Sequence, residues 1–323
     1  MKSETPTIVA AQDDGAQKST PNLRIATLDR HRTFQNKKVV MLVRNAERLD
    51  RVFPEWLQQN ITDTGEYFPN DLNMSPMVFN RPEGPQGFVD DAPITEIGSL
   101  NAQMIGRAIR LHDVWPLTTI YCSPTLRCVQ TASSIAKGIN KPVPVCVEPA
   151  LFDWCQWYKS MPTILPVEEL LRCGFPIVQY EAQKSVKQLT SLIGNENIEQ
   201  FYARIQTVTE KLTSGPSADR ILIVAHATVL DAVVKALQKC SPRLVTETDM
   251  LHMGTHYPYS CCVTMAQHQE RWNFVHEPIC QLSFMGISNR VNSKFINRTT
   301  KLKDATTRLV EVEKSKKASS RNG

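Results

Sequence analysis

Three arginines, one glutamate and one histidine stand directly after apolar runs of this sequence. Arg44 and Arg48 lie in the string Arg44-Asn45-Ala46-Glu47-Arg48, Arg127 follows Ser123-Pro124, Glu148 precedes Pro149, and His226 ends Ile221-Leu222-Ile223-Val224-Ala225. A guanidinium is a planar fork of donors that matches phosphate oxygens two at a time, so three converging arginines describe a phosphate cradle better than a carboxylate or sugar site. Loose phosphoryl transition states are stabilised mainly by positioning and charge, which such a cradle supplies. A neighbouring glutamate can protonate the leaving oxygen. Each residue also has a plainer role: Arg127 as a surface helical arginine, Glu148 as a loop cap, His226 as a hydrogen-bonded structural histidine, and Arg44 and Arg48 as a solvated turn.

These residues need elements that bring them together. Val39-Val40-Met41-Leu42-Val43 is continuously apolar and rich in β-branched residues, the pattern of a strand covered on both faces of a parallel sheet. Further strands are predicted over Thr119–Cys122, Val143–Val147, 221–225 and 261–266, with another at 272–275. Helical spacing appears between them. A Thr95 cap opens a helix whose buried face is read as Ile97, Leu100, Met104, Ile105, Ala108 and Ile109, and Leu126–Ile139, 201–212 and 229–237 follow. Repeated strand-helix units imply an α/β fold, a three-layer αβα sandwich with a mostly parallel central sheet. In such sheets ligands bind beyond the carboxyl ends of the strands, where all five polar residues fall. The Pro-, Asn- and Gly-rich stretch 53–91 and the stretch 155–195 are long excursions of the kind that cover sites.

The net charge of +5 is unevenly placed, because Arg290–Gly323 holds ten Lys/Arg against three Asp/Glu and the remainder is slightly acidic. That distribution argues against a basic groove for nucleic acid on the folded domain. The organisation expected is a disordered polar arm at 1–36, one domain at 37–285 and a basic tail at 286–323, whose helical run 301–317 is either an interaction arm or a solvated tail. No apolar stretch is long enough to span a bilayer, and the N-terminus lacks the apolar region of a secretory signal, so a cytoplasmic location is expected. Nine cysteines show no CxxC pair or zinc-type spacing and read as reduced core thiols, with no metal or cofactor implied.

The motifs, taken in order, resemble the histidine phosphatase superfamily, also called phosphoglycerate-mutase-like. The family's Arg-His-Gly-x-x signature corresponds to Arg44-Asn45-Ala46-Glu47-Arg48, and the likeness continues through 92–98, 123–132, Val147-Glu148-Pro149 and 223–227. Arg48-Leu49-Asp50-Arg51-Val52-Phe53, Trp56-Leu57, 148–154 and Thr228-Val229-Leu230-Asp231 look like the phosphatase domain of the ubiquitin-associated and SH3 domain-containing suppressors of T-cell-receptor signalling. No ubiquitin-associated or SH3 module fits ahead of residue 38, so a stand-alone domain is expected. The resemblance leaves a homodimer open, since the similar domains associate.

By motif position the resemblance implies phosphate binding by Arg44, Arg48, Arg127 and His226, an acid role for Glu148, and transition-state stabilisation by His226. The attacking histidine falls on Asn45. An amide nitrogen has its lone pair delocalised into the carbonyl and cannot attack phosphorus as an imidazole does. Ala46 in place of glycine departs in the same direction. None of His31, His112, His252 or His256 lies at a predicted strand end, although His252 and His256 in a loop leave a substitute open. Two readings follow. The preferred one is a pseudophosphatase that binds a phosphorylated small molecule or a phosphoprotein; the other is a phosphomonoesterase of low activity, similar to protein tyrosine phosphatases, that uses a water oriented by Asn45.

Overall fold

The computed structural model describes residues 38–296, apart from 113, 216–217, 242–244, 276–277, 285–286, 289–290 and 293. The expected polar arm at 1–36 and helical run at 301–317 lie outside the described residues. Six strands form one sheet: β1 (Val39–Arg44), β2 (Thr119–Cys122), β3 (Val145–Val147), β4 (Arg220–Ala225), β5 (Cys262–His268) and β6 (Arg271–Phe274). Their order is β3-β2-β4-β1-β5-β6. The first four run parallel, and β5 and β6 are antiparallel additions at one edge. The sheet is thus mostly parallel, as the unbroken apolar runs imply.

Alternation along β1 divides the interior. Val40 and Leu42 face one half-core, lined by α3 (Ile198–Ser214), α4 (Ala227–Leu237) and α5 (Glu247–His256). Met41 and Val43 face the other, lined by α1 (Glu96–Leu111) and α2 (Leu126–Ile139). This is the expected three-layer αβα sandwich. Phe295 and Ile296 are buried in the first half-core, so packing reaches beyond position 285.

Two expectations change. The buried stripe of α1 consists of Gly98, Asn101, Ala102, Ile105, Gly106 and Ile109, while Leu100 is 55% exposed. Contact with α2 sets this face: a Cβ on Gly106 would stand 2.0 Å from the Ile135 carbonyl oxygen, and one on Gly138 2.0 Å from that of Gln103. Close backbone approach selects the small residues over the larger apolar ones. The second change is α5 itself. His252 and His256 lie on a helix opened by a capping box of Thr246 and Asp249, not in a loop.

Candidate functional site

The chain leaves β1 toward the α1–α2 layer and leaves β4 toward the α4–α5 layer, so a crevice opens between two adjacent strand ends. Asn45 follows β1 and His226 follows β4. Their strands are in register through Arg44 and Ala225, and the Asn45 amide donates to the Ala225 carbonyl at 2.8 Å. Asn45 and His226 therefore stand side by side at neighbouring strand ends, one strand spacing apart.

Asn45 is buried, and its Nδ2 donates to the Ala46 carbonyl at 2.9 Å. Arg44 Nη1 donates to the carbonyls of Gly254 (3.0 Å) and Tyr257 (2.6 Å) at the end of α5, and its guanidinium lies 4.0 Å over the Tyr259 ring. Its buried Nε has no hydrogen-bond partner. Burial lowers the pKa of Arg44 from its usual value, opposed in part by Tyr259, Cys261 and Asp153. Arg48 makes a two-point pair with Asp50, 2.8 Å from Nε and 2.5 Å from Nη2.

The opposite wall is interlocked. Arg127, at the start of α2, is buried and donates from Nη1 to the Asp90 carbonyl (3.0 Å) and from Nη2 to the Tyr158 hydroxyl (3.1 Å), with His226 Nδ1 at 3.4 Å. Asp91 sets its entry: Oδ1 accepts from the Leu126 amide at 2.7 Å, and Oδ2 pairs with buried Arg81 at 2.8 Å. Ser123 Oγ lies 2.8 Å from His226 Nε2, and Asp153 Oδ2 lies 3.5 Å from His226 Nδ1. A neutral ring that donates from Nε2 to Ser123 and accepts from Arg127 at Nδ1 satisfies both nitrogens. Burial, reinforced by Arg127, Arg48 and Arg44 against Asp153, lowers His226 to about 3. The imidazole is therefore uncharged at neutral pH. Hydroxyl, imidazole and carboxylate line up here, but Ser123 is fully buried and serves to hold the ring.

The two carboxylates near this wall have opposite surroundings. Glu148 is buried and accepts from the Ala150 amide (2.9 Å), the Gln183 amide (2.8 Å) and the Tyr180 hydroxyl (3.1 Å), capping the short helix Pro149–Leu151. Its oxygens are committed away from the crevice. Asp153, which sequence reasoning missed, accepts from Thr228 Oγ1 (2.5 Å) and the Trp154 amide (3.0 Å) and faces His226. Burial works to raise Asp153, but His226, Arg127 and those two hydrogen bonds outweigh it and hold it below the usual carboxylate value. The turn Pro149–Leu151 carries the chain from Glu148 back over the sheet end to Asp153. Only the acid in the Phe152-Asp153-Trp154 triplet could have signalled it.

No other described histidine stands at the ends of β1 and β4. His112 and His252 bond the carbonyls of Ala108 and Thr248, His256 stacks on Phe295 with centroids 3.8 Å apart, and His268 lies on β5 at the sheet's far side from β2 and β3. His31 and His276 lie outside the described residues. Among the described residues no group of three or more His, Cys, Asp or Glu is placed to hold a metal ion, and no helix is long and apolar enough to cross a membrane. Arg127 and the neutral imidazole stand together here, within the field of Arg44 and Arg48.

The chain is 34% identical over 251 residues to ecdysteroid-phosphate phosphatase of Drosophila melanogaster, covering 76% of this chain and 32% of that protein. It is 32% identical over 257 residues to ubiquitin-associated and SH3 domain-containing protein B of Homo sapiens, covering 76% and 39%. It thus spans about a third to two-fifths of the length of these curated relatives. A solved structure of the ecdysone phosphate phosphatase of Bombyx mori in complex with tungstate matches with a TM-score of 0.64 at 24% identity, over 80% of this chain and 99% of that one, which shows a shared fold. The model of the histidine phosphatase superfamily (branch 1) matches residues 79–276, a span that begins after Asn45 and holds Arg127, Asp153 and His226. With the family model matched over more than half of the chain and relatives more than 30% identical over 76% of it, this protein belongs to the histidine phosphatase superfamily.

Proposed function

We propose that this domain binds a phosphorylated ligand, a small molecule or a phosphoprotein, in the crevice between β1 and β4, and that it has lost covalent phosphoryl transfer. One observation carries the reading: an amide, not an imidazole, faces His226 at the end of β1, and its nitrogen is spent on the Ala46 carbonyl. Arg127 and His226 are the central phosphate-binding groups, and Arg44 and Arg48 supply positive field. Asp153, rather than Glu148, takes the place beside the reacting group. An ionised Asp153 has no proton to give a leaving oxygen at neutral pH, which agrees with lost turnover. The names of the relatives point to phosphate monoesters as the ligand class. Selectivity among them is assigned to the segments 53–91 and 155–195, which flank the crevice.

The second reading keeps a slow phosphomonoesterase in which Asn45 orients a water; it is favoured by the complete Arg127–His226–Asp153 wall. Removing a nucleophile from a covalent mechanism costs on the order of 10⁶ in turnover, while preorganised charge retains about 10³ to 10⁴ over water. Hydrolysis of p-nitrophenyl phosphate by the wild type is expected near background, and Asn45→His is expected to raise it by at least about 10³-fold. Wild-type turnover equal to that of the histidine variant would establish the esterase reading instead.

A further inference from the structure

Arg127 is the best-placed phosphate ligand of the crevice, yet its inward donor is already in use. Nη2 bonds the hydroxyl of Tyr158 at 3.1 Å, and Nη1 is held by the Asp90 carbonyl. The fields of Asp153 and Arg48 also reach this phenol, so its oxygen sits among the groups that a phosphate oxygen would meet. The ring is fixed by Phe152, 5.0 Å away between centroids. We propose that Tyr158 is an internal occupant of the phosphate site, and that it must leave before a phosphoryl group can take both the Arg127 donor and the space beside His226. This inference rests on the phosphate-binding reading above.

The surroundings of Tyr158 suit a group that comes and goes. Gln156, Trp157, Lys159 and Ser160 are exposed, and Tyr158 alone among residues 156–160 turns inward. Up to Cys155 the chain is clamped: Arg204 donates to the carbonyls of Ala150, Phe152 and Asp153, and Glu196 accepts from the Cys155 amide. After Cys155 the chain is held more lightly: the Tyr158 amide bonds back to the Cys155 carbonyl, and Trp157 packs on Trp154 with centroids 5.4 Å apart. Tyr158 packs in a small apolar cluster with Phe152, Cys155 and Leu189, separate from both half-cores. Rotating the Tyr158 side chain outward while Trp157 stays on Trp154 therefore opens neither half-core. Occupancy by the phenol lowers apparent affinity in proportion to the fraction of molecules left open. The same residue gates the ligands admitted, because only one whose phosphoryl group outcompetes a neutral hydroxyl for the guanidinium displaces it.

The test is titration of the full chain with orthovanadate by calorimetry, comparing wild type, Tyr158→Phe and Tyr158→Ala, with folding of each checked by circular dichroism and melting. Tyr158→Phe keeps the ring and removes only the hydroxyl. It is expected to tighten binding about tenfold, the worth of one charge-assisted hydrogen bond, with Tyr158→Ala at least as tight. Binding that appears only in the variants supports the proposal equally. If the wild type binds and both variants bind no better, Tyr158 is merely a structural partner of Arg127; the proposal falls and the phosphate-binding reading stands. If none of the three binds, the phosphate-binding reading falls and takes the occupant with it.

Discussion

The two walls of the crevice have gone different ways. On the β1 side Asn45 and Arg48 bond within two residues, to the Ala46 carbonyl and to Asp50, while Arg44 bonds across the fold to the carbonyls of Gly254 and Tyr257, and none of the three bonds His226. On the β2–β4 side Arg127, Asp153, Ser123 and His226 bond to one another across three separate segments. Groups that satisfy each other are preorganised, whereas groups bonded elsewhere are not positioned relative to one another. On the function proposed above, the contrast teaches that binding and turnover depend on different strand ends and can be lost separately.

The largest effect that would sharpen this contrast is the gain of hydrolysis in Asn45→His described above. Adding Arg127→Ala to that variant is expected to return the rate to background, since a restored nucleophile without the opposite wall has no positioned phosphate. Binding comes next. Orthovanadate at a hundredfold excess over its dissociation constant is expected to stabilise the wild type by about 2.7 kcal/mol, seen as a rise in melting temperature. Arg127→Ala should abolish that rise and Arg44→Ala should only reduce it; equal losses would erase the distinction between the walls.

The two carboxylates give a smaller and separable pair of effects. Glu148→Ala strands the buried Ala150 amide, the half-buried Gln183 amide and a tyrosine hydroxyl, so urea denaturation should show a loss of about 2 to 4 kcal/mol while the vanadate shift persists. Asp153→Asn should instead alter the vanadate shift. A Glu148 variant that keeps its stability and loses the shift would return the acid role to Glu148.

Within any single pH unit the smallest effect is that of pH. His226 is held at about 3 in the folded protein, below its value of about 6.5 in an unfolded chain. Between those values the unfolded state binds a proton that the folded state refuses. Stability contributed by the neutral ring is therefore complete above about 6.5 and falls as pH drops toward 3, by up to about 1.4 kcal/mol per pH unit. Denaturation of His226→Gln across this range should show a shallower slope, and an unchanged slope would mean that the ring is not buried neutral.

Much of the frame can be read from residue order. The β1, β2 and β4 runs and helix α2 announce themselves through unbroken β-branched stretches and a clear helical period, and Ser123-Pro124 marks the turn between strand and helix. Helix α5 is obscured because only Met250 and Met253 are buried within it, too few to set a period, although Thr246 and Asp249 form a legible capping box. The face of α1 was misjudged at Leu100 because helix contact through Gly106 and Gly138 overrides side-chain size.

Sequence alone determined that arginines and one histidine stand at the ends of parallel strands and that an amide, Asn45, follows the first of them. These follow from local patterns, the period of the strands and the chemistry of single side chains. Tertiary structure alone decided which carboxylate meets His226 and which phenol meets Arg127. Glu148 and Asp153 are five residues apart in the chain, but a single turn of the chain gives one to backbone amides and the other to His226. Tyr158 reaches Arg127 by the same fold-back, a contact between residues 31 positions apart that no local pattern specifies.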